Sequence, residues 1–432
     1  MFTNECLNVN EQGHLTIGGC DTVELANEFG TPLYVMDEAT IRNTCRKYKE
    51  SFEKYYNGNG MPLYASKALS CKEIYRIVND EGFGIDVVSG GELYTALSAN
   101  FPPEKIHFHG NNKTFEELNM AIDAHIGVIV VDNMTELNML NQLSKEKNIR
   151  TNISLRIKPG VDAHTHQFVQ TGQIDSKFGF ALETGEAFYA VKLALQCENL
   201  VLKELHCHIG SQIFELSPFT LAAEILMNFI IKIKNECNFL VHSLNLGGGF
   251  GIHYTDNDTP KPYDYFMREV SAVVNKMAEE NGIPVPYIHI EPGRSIVGES
   301  GITLYTVGCV KDIKNVRTYV SIDGGMFDNI RYALYQAEYT VLNASKASSK
   351  PDTTVTVAGK CCETGDLIQE NVNVADPQPG EILAVLSTGA YNYSMSSNYN
   401  RNLRPAIVMI KDGKPRIIVK RESLEDLIRN DI

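Results

Sequence analysis

The residues best equipped for chemistry in this chain stand at the ends of short apolar runs. Lys67 follows Leu63, Tyr64 and Ala65 in PLYASKALS and puts an ammonium at the lip of a core. Such a lysine is either a surface residue just past a strand or an amine placed to form a Schiff base. His206 and His208 close the run KELHCHIGS, the cluster Gly247–Gly251 closes HSLNLGGGFG, and Glu291–Arg294 closes PYIHIEPGR. A glycine cluster presents backbone N–H groups without side-chain obstruction and is able to cradle a phosphate. An imidazole at the same rim can lie flat against an aromatic ring. A carboxylate such as Glu291, set beside a pyridine nitrogen, keeps that nitrogen protonated and strengthens the ring as an electron sink. A reactive lysine, a phosphate cradle, a ring-facing imidazole and a pyridinium partner together match one cofactor, pyridoxal 5'-phosphate. The histidines of HCH are not read as a metal site, because no H-E-x-x-H spacing and no acidic partner follows them.

These residues need a scaffold that brings distant strand ends together. Eight apolar runs, from MPLYASK to PYIHI, alternate with helix-like stretches over about 250 residues, the rhythm of a (β/α)8 barrel. Lys113–His125 and Thr135–Lys147 carry apolar residues at three and four spacing, and Ser217–Glu236 begins with a Ser-Pro start signal. An open doubly wound sheet is the alternative, but YASKALS lacks the G-x-G-x-x-G expected after a first strand. In a barrel the chemistry sits at the C-terminal ends of the strands, where all four motifs fall.

Past Glu291 the texture changes to β-branched runs separated by Gly, Asp and Pro, among them GITLYTVGCVKDI, TTVTVAGKCC and AIVMIKDGKPRIIV. This predicts an all-β domain, a small barrel or sandwich. The expected division is a barrel over 36–290 and a β domain over 291–432 that also takes in the strands of 1–35.

The composition limits the partners. A net charge of −14 argues against nucleic acid and anionic membranes. The longest apolar runs are strand-length. The opening MFTNECLNVNEQGHL lacks a basic n-region before an apolar stretch, so no secretory leader is expected. Ten cysteines without C-x-x-C spacing read as free thiols in a reducing, cytoplasmic setting, and the adjacent pair Cys361–Cys362 stands out.

The motifs YASKA, DVVSGGEL, HFHGNNK, HCHIGSQ, LGGGFG and EPGRSIV resemble those of the ornithine, diaminopimelate and arginine decarboxylases, in the alanine racemase-like fold group of pyridoxal-phosphate enzymes. The resemblance runs nearly end to end. Lys158–Phe180, Asp323–Tyr339 and CCETGD (Cys361–Asp366) are most similar to the diaminopimelate branch. That resemblance implies decarboxylation of meso-2,6-diaminopimelate to L-lysine, the last step of lysine biosynthesis by that route. It implies that Lys67 binds the cofactor aldehyde and that His208 stacks on the ring. Ser211, Gly248, Gly249 and the turn Glu291, Pro292, Gly293 and Arg294 would hold phosphate and ring. Cys362 would protonate the carbanion. Arg294, Arg331, Tyr335 and Glu363 would read the far end of the substrate, and Tyr391 would touch both cofactor and substrate. Cys362, Glu363 and Tyr391 would cross a homodimer interface. Tyr332 departs from a usual proline and Thr364 from a usual serine; the former bears on the conformation after Arg331.

Three rivals remain. A decarboxylase of ornithine, lysine, arginine or carboxynorspermidine would keep the fold, though Arg331 with Glu363 tells against the first three. A racemase would need a second acid/base group where this chain offers a thiol. A non-catalytic binder would be expected to lack Lys67 or Cys362.

Overall fold

The computed structural model describes residues 4–161 and 176–432; most of the Lys158–Phe180 segment lies outside them. The eight apolar runs become eight parallel strands: β1 (Gly60–Ala65), β2 (Gly84–Val87), β3 (Ile106–Phe108), β4 (Val128–Val131), β5 (Thr151–Lys158), β6 (Leu200–His206), β7 (Ser243–Asn245) and β8 (Tyr287–Ile290). Each pairs with its neighbour in chain order, and β8 pairs with β1, so the sheet closes. The fold class expected from the sequence is thus the one observed. Closure leaves no barrel edge, and the covering helices explain why the strands read as continuous apolar runs.

Local sequence sets the helix starts. Thr114 caps the helix Phe115–Asp123 in a capping box with Glu117, an arrangement whose cap alone contributes about 1 kcal/mol. Asn133 caps Met134–Glu146 and Ser89 caps Gly90–Ser98. Lys113, in the loop after β3, is buried, and its Nζ donates to the carbonyls of Gly110 and Val130 and to Glu136 at 2.7–2.8 Å. All three ammonium protons are thereby used, which offsets the cost of burying the charge.

Two compact units divide the chain. The barrel unit comprises 44–251 and 260–293. The β unit comprises 4–43, 252–259 and 294–432. At its centre the strand Leu33–Asp37 lies antiparallel to Gly301–Ile313 and parallel to Ala406–Lys411. Ala406–Lys411 returns as the hairpin strand Lys414–Val419 through Asp412 and Gly413, both at positive φ. One apolar cluster gathers Leu15, Ile17, Leu33, Val35, Ile302 and Val408, and a second gathers Ile252, Tyr305, Val320, Val357 and Leu383. Among the described residues no helix is long and apolar enough to cross a membrane.

Candidate active site

The barrel mouth collects the residues singled out in its own unit. Lys67 is exposed on a single 3-10 turn, Ser66–Ala68, that follows β1. His208 and Ser211 lie just past β6, and Gly248 and Gly249 just past β7. The Gly248 N–H donates to His208 Nδ1 at 3.3 Å, fixing the imidazole against the glycine loop. Burial, then the charges of Lys67 and Arg156, keep the His208 pKa well below the usual imidazole range, so its ring is neutral.

Glycine is required at this rim. A Cβ on Gly248 would sit 2.1 Å from the Glu291 carbonyl oxygen, and Gly249 holds φ +116° beside the Gly210 carbonyl. A Cβ on Gly293 would meet that of Ala65 at 2.7 Å, while the Ala65 N–H donates to the Pro292 carbonyl at 3.1 Å. The turn after β8 is therefore clamped to the end of β1, the strand that carries Lys67.

Glu291 is buried. His206 Nε2 lies 3.1 Å from its Oε2, Asn245 Nδ2 donates to its Oε1 at 2.8 Å, and His109 Nε2 approaches Oε1 at 2.9 Å. Burial alone would raise the Glu291 pKa, but His109 and His206 outweigh it and hold the carboxyl well below its ordinary range. The sequence expectation that HCH lacks an acidic partner is corrected here. The partner exists, 85 residues away.

A second tier lies two residues back on the same three strands. Glu204 Oε2 lies 2.5 Å from His289 Nδ1, and Glu204 Oε1 lies 3.6 Å from His107 Nδ1. The tiers alternate their acid between strands, β6 in one and the end of β8 in the other. All six residues are buried. Sequence reasoning passed over His107, His109, Glu204 and His289. Their signal was present, since a period of two puts His107 with His109, Glu204 with His206 and His289 with Glu291 on one strand face.

In the β unit a second cluster forms around Tyr254. Arg294 Nη1 donates to the Tyr254 hydroxyl at 2.5 Å, and its guanidinium carbon lies 4.6 Å from the Tyr391 ring centroid. Arg331 opens the short helix Arg331–Tyr335, lies 5.0 Å from the Tyr254 ring and donates to the Tyr339 hydroxyl at 2.9 Å. Burial would raise the Tyr254 pKa, but Arg294 and Arg331 overcome it and lower it. Arg331 is 8% exposed. Among the described residues no carboxylate lies within ion-pair distance of it, an expensive state for a buried charge. Tyr391 adopts φ +61°, rare for an aromatic residue, beside an Asn392 side chain tied to the Thr388 carbonyl. Tyr335 ends the helix that Arg331 begins. Tyr332 is accommodated in that helix, and its hydroxyl donates to Glu370 at 2.7 Å.

Cys362 and Glu363 stand apart from that cluster on an exposed turn. The Cys362 N–H donates to Asn400, and Glu363 lies 3.4 Å from the Tyr399 hydroxyl. The adjacent Cys361 differs in character: burial, then Asp366, pushes its thiol up to about 12.

The profile of the family described as "Pyridoxal-dependent decarboxylase, pyridoxal binding domain" matches residues 38–298. The diaminopimelate decarboxylase of Bacillus methanolicus is 48% identical over 98% of both chains. That of Bacillus subtilis is 47% identical over 100% of this chain and 98% of its own. The chain belongs to the diaminopimelate decarboxylase family of pyridoxal-dependent decarboxylases. Among solved structures, the family member from M. jannaschii, in co-complex with L-lysine, superposes with a TM-score of 0.92 at 36% identity, covering 100% of this chain and 99% of that one. The barrel and the β unit are thus both parts of the family fold, and pyridoxal phosphate is the family's cofactor.

Proposed function

We propose that this protein decarboxylates meso-2,6-diaminopimelate to L-lysine and CO2 with pyridoxal 5'-phosphate, as the last step of lysine biosynthesis in the cytoplasm. The residues fit that cofactor. An ionised, buried Glu291 suits a protonated ring nitrogen, the glycine loop at Gly248 and Gly249 suits a phosphate, and neutral His208 suits the face of a ring. Lys67 would bind the aldehyde, and Ser211, Pro292, Gly293, Arg294 and Tyr391 would complete the holding set. When bound, the cofactor supplies a sink for the electrons of the bond from Cα to the departing carboxylate.

The chain's own residues supply orientation and one proton. The observation that carries the substrate assignment is Arg331, a buried guanidinium that lacks a carboxylate partner among the described residues. A second substrate carboxylate, absent from ornithine and lysine, would complete it through two parallel hydrogen bonds. Glu363 would pair with the ammonium beside that carboxylate, and Arg294 and Tyr335 would border the same end. Holding the far end fixes which Cα substituent stands where its bond electrons can leave. CO2 departs, and the Cys362 thiol delivers a proton to Cα, later regained from solvent. Cys362 and Glu363, which stand apart from the cluster, would serve the site of a second copy, so the working unit is a homodimer; Tyr391, expected to cross with them, instead lies against Arg294 of its own chain and would serve its own site.

The deciding experiment is CO2 release from a panel of amino acids with pyridoxal phosphate present. Turnover of meso-diaminopimelate alone is expected. Turnover of ornithine, lysine or carboxynorspermidine in its place would refute the assignment of Arg331 and Glu363.

A further inference from the structure

The two His–Glu–His tiers are more than the proposed chemistry requires of a barrel interior, which ordinarily fills with branched apolar side chains. We infer that His206 and His109 are positioning residues, which hold Glu291 as an ionised carboxylate with acceptor capacity left for the cofactor's ring nitrogen. This rests on the reading above that Glu291 pairs with that nitrogen.

The geometry fixes the protons. His206 Nδ1 has no hydrogen-bond partner among the described residues, while Nε2 lies 3.1 Å from Glu291 Oε2. The imidazole proton therefore sits on Nε2 and is donated to the carboxylate. Asn245 and His109 both reach Oε1, at 2.8 and 2.9 Å. Asn245 donates to Oε1, whereas His109 Nε2 stands beside it without a hydrogen bond among the described residues, so each carboxylate oxygen retains an acceptor site. The His109 and His206 rings meet edge to face with centroids 4.7 Å apart, so neither turns without displacing the other.

The other charged groups that act on Glu291 come from every side of the barrel. Burial first, then Glu291, hold the Asp86 carboxyl on β2 well above its ordinary range against the pull of Lys67, so Asp86 keeps its proton; Arg156 on β5 attracts Glu291, and Cys207, His208 and His289 also feel its charge. Burial by itself raises the Glu291 pKa, so Glu291 would tend to take up a proton if its histidine neighbours were lost. The ring nitrogen would then lose its anionic partner. The lower tier, Glu204 with His107 and His289, ties the same strands together without reaching Glu291 through a hydrogen bond.

The test is the nitrogen resonance of 15N-labelled pyridoxal phosphate bound to the holoenzyme, followed from mildly acidic to mildly alkaline pH. The wild type is expected to show a protonated ring nitrogen throughout. Glutamine places its amide near the position of a histidine Nε2, and asparagine falls short of it. His206→Gln should therefore keep the protonated signal. His206→Asn should shift it to the unprotonated position within the range, with cofactor dissociation rising about tenfold for one lost charge-assisted hydrogen bond. Both replacements are polar and smaller than histidine, so a folding defect common to them would not separate the two signals. Glu204→Gln serves as the control for strand anchoring: it should lower the melting temperature and leave the ring signal in place. Equal signals in His206→Gln and His206→Asn, or a Glu204→Gln shift as large as that of His206→Asn, would overturn the inference. Glu291→Gln separates the two levels. A shift there with none in His206→Asn defeats the positioning role alone, whereas no shift there defeats the pairing of Glu291 with the ring, and the inference with it.

Discussion

Arg331 and Tyr339 are joined by a 2.9 Å hydrogen bond inside the β unit, eight residues apart and both buried. A tyrosine hydroxyl satisfies one guanidinium donor without neutralising the charge. The pair therefore holds an arginine in a fixed pose with its electrostatic demand unmet among the described residues.

A substrate carboxylate is the expected answer to that demand. Arg331→Ala should lower kcat/KM for diaminopimelate by about a hundredfold or more, since a bidentate pair combines two charge-assisted hydrogen bonds. Arg331→Lys should restore only part of it, because the charge is kept and the fork is lost. Steady-state CO2 release measures both; an unchanged kcat/KM in the alanine variant would show that Arg331 reads nothing.

Lys67 lies outside the core, so its removal should leave the barrel folded. Lys67→Ala is expected to retain its circular dichroism and lose the visible absorption of lysine-bound cofactor. Absorption that survives the substitution would assign the aldehyde to another amine.

Shared sites have an arithmetic consequence. When Lys67→Ala and Cys362→Ala subunits are exchanged, half of the dimers are mixed and each mixed dimer has one complete site, so about a quarter of wild-type activity should return. No recovery after exchange verified by mass would place both residues in one subunit's site.

Asp328 gives the β unit a pH dependence. Burial first, with Asp323 and Asp366 adding to it and the Tyr305 hydroxyl opposing, pushes its carboxyl up to about 8. A raised acid holds its proton in the folded state while the unfolded chain has lost it. Its stabilising contribution is present below the ordinary carboxylate range and is lost as pH rises toward 8. Asp328→Asn, a mimic of the protonated form, should flatten that decline and gain about 1–3 kcal/mol at alkaline pH. Thermal melts from pH 5 to about 9 would test it; parallel curves for the two proteins would rule it out.

Much of this molecule is legible in its sequence because the information is local. The barrel strands are apolar runs ended by turns, and β3, β7 and β8 fall within a residue or so of their expected spans. The rim residues could be named because a barrel places every strand's C-terminal end on one face. The histidine tiers were not legible, since each contact joins strands 85 or more residues apart and depends on the strand register. Tyr254 was missed for a different reason. It lies in a short stretch, Ile252–Thr259, flanked on both sides by barrel sequence yet grouped with the β unit, and nothing in its neighbours marks that change.

The strand Leu33–Asp37 is made long before Ala406–Lys411, its partner on one side. A ribosome adding about 5–20 residues per second needs roughly 20–70 s to cover that interval. Until Gly301–Ile313 emerges, Leu33 and Val35 lack a strand partner on either side. The barrel, by contrast, has every one of its strands available once Ile290 has emerged. Synthesis therefore delivers a barrel capable of closing while the β unit still waits for its last strands. The arginines and tyrosines that the β unit arranges are complete only once Tyr391 and the strand Ala406–Lys411 have been made. Removal of Ala406–Val419 should accordingly spare the barrel and leave one edge of the strand Leu33–Asp37 unpaired.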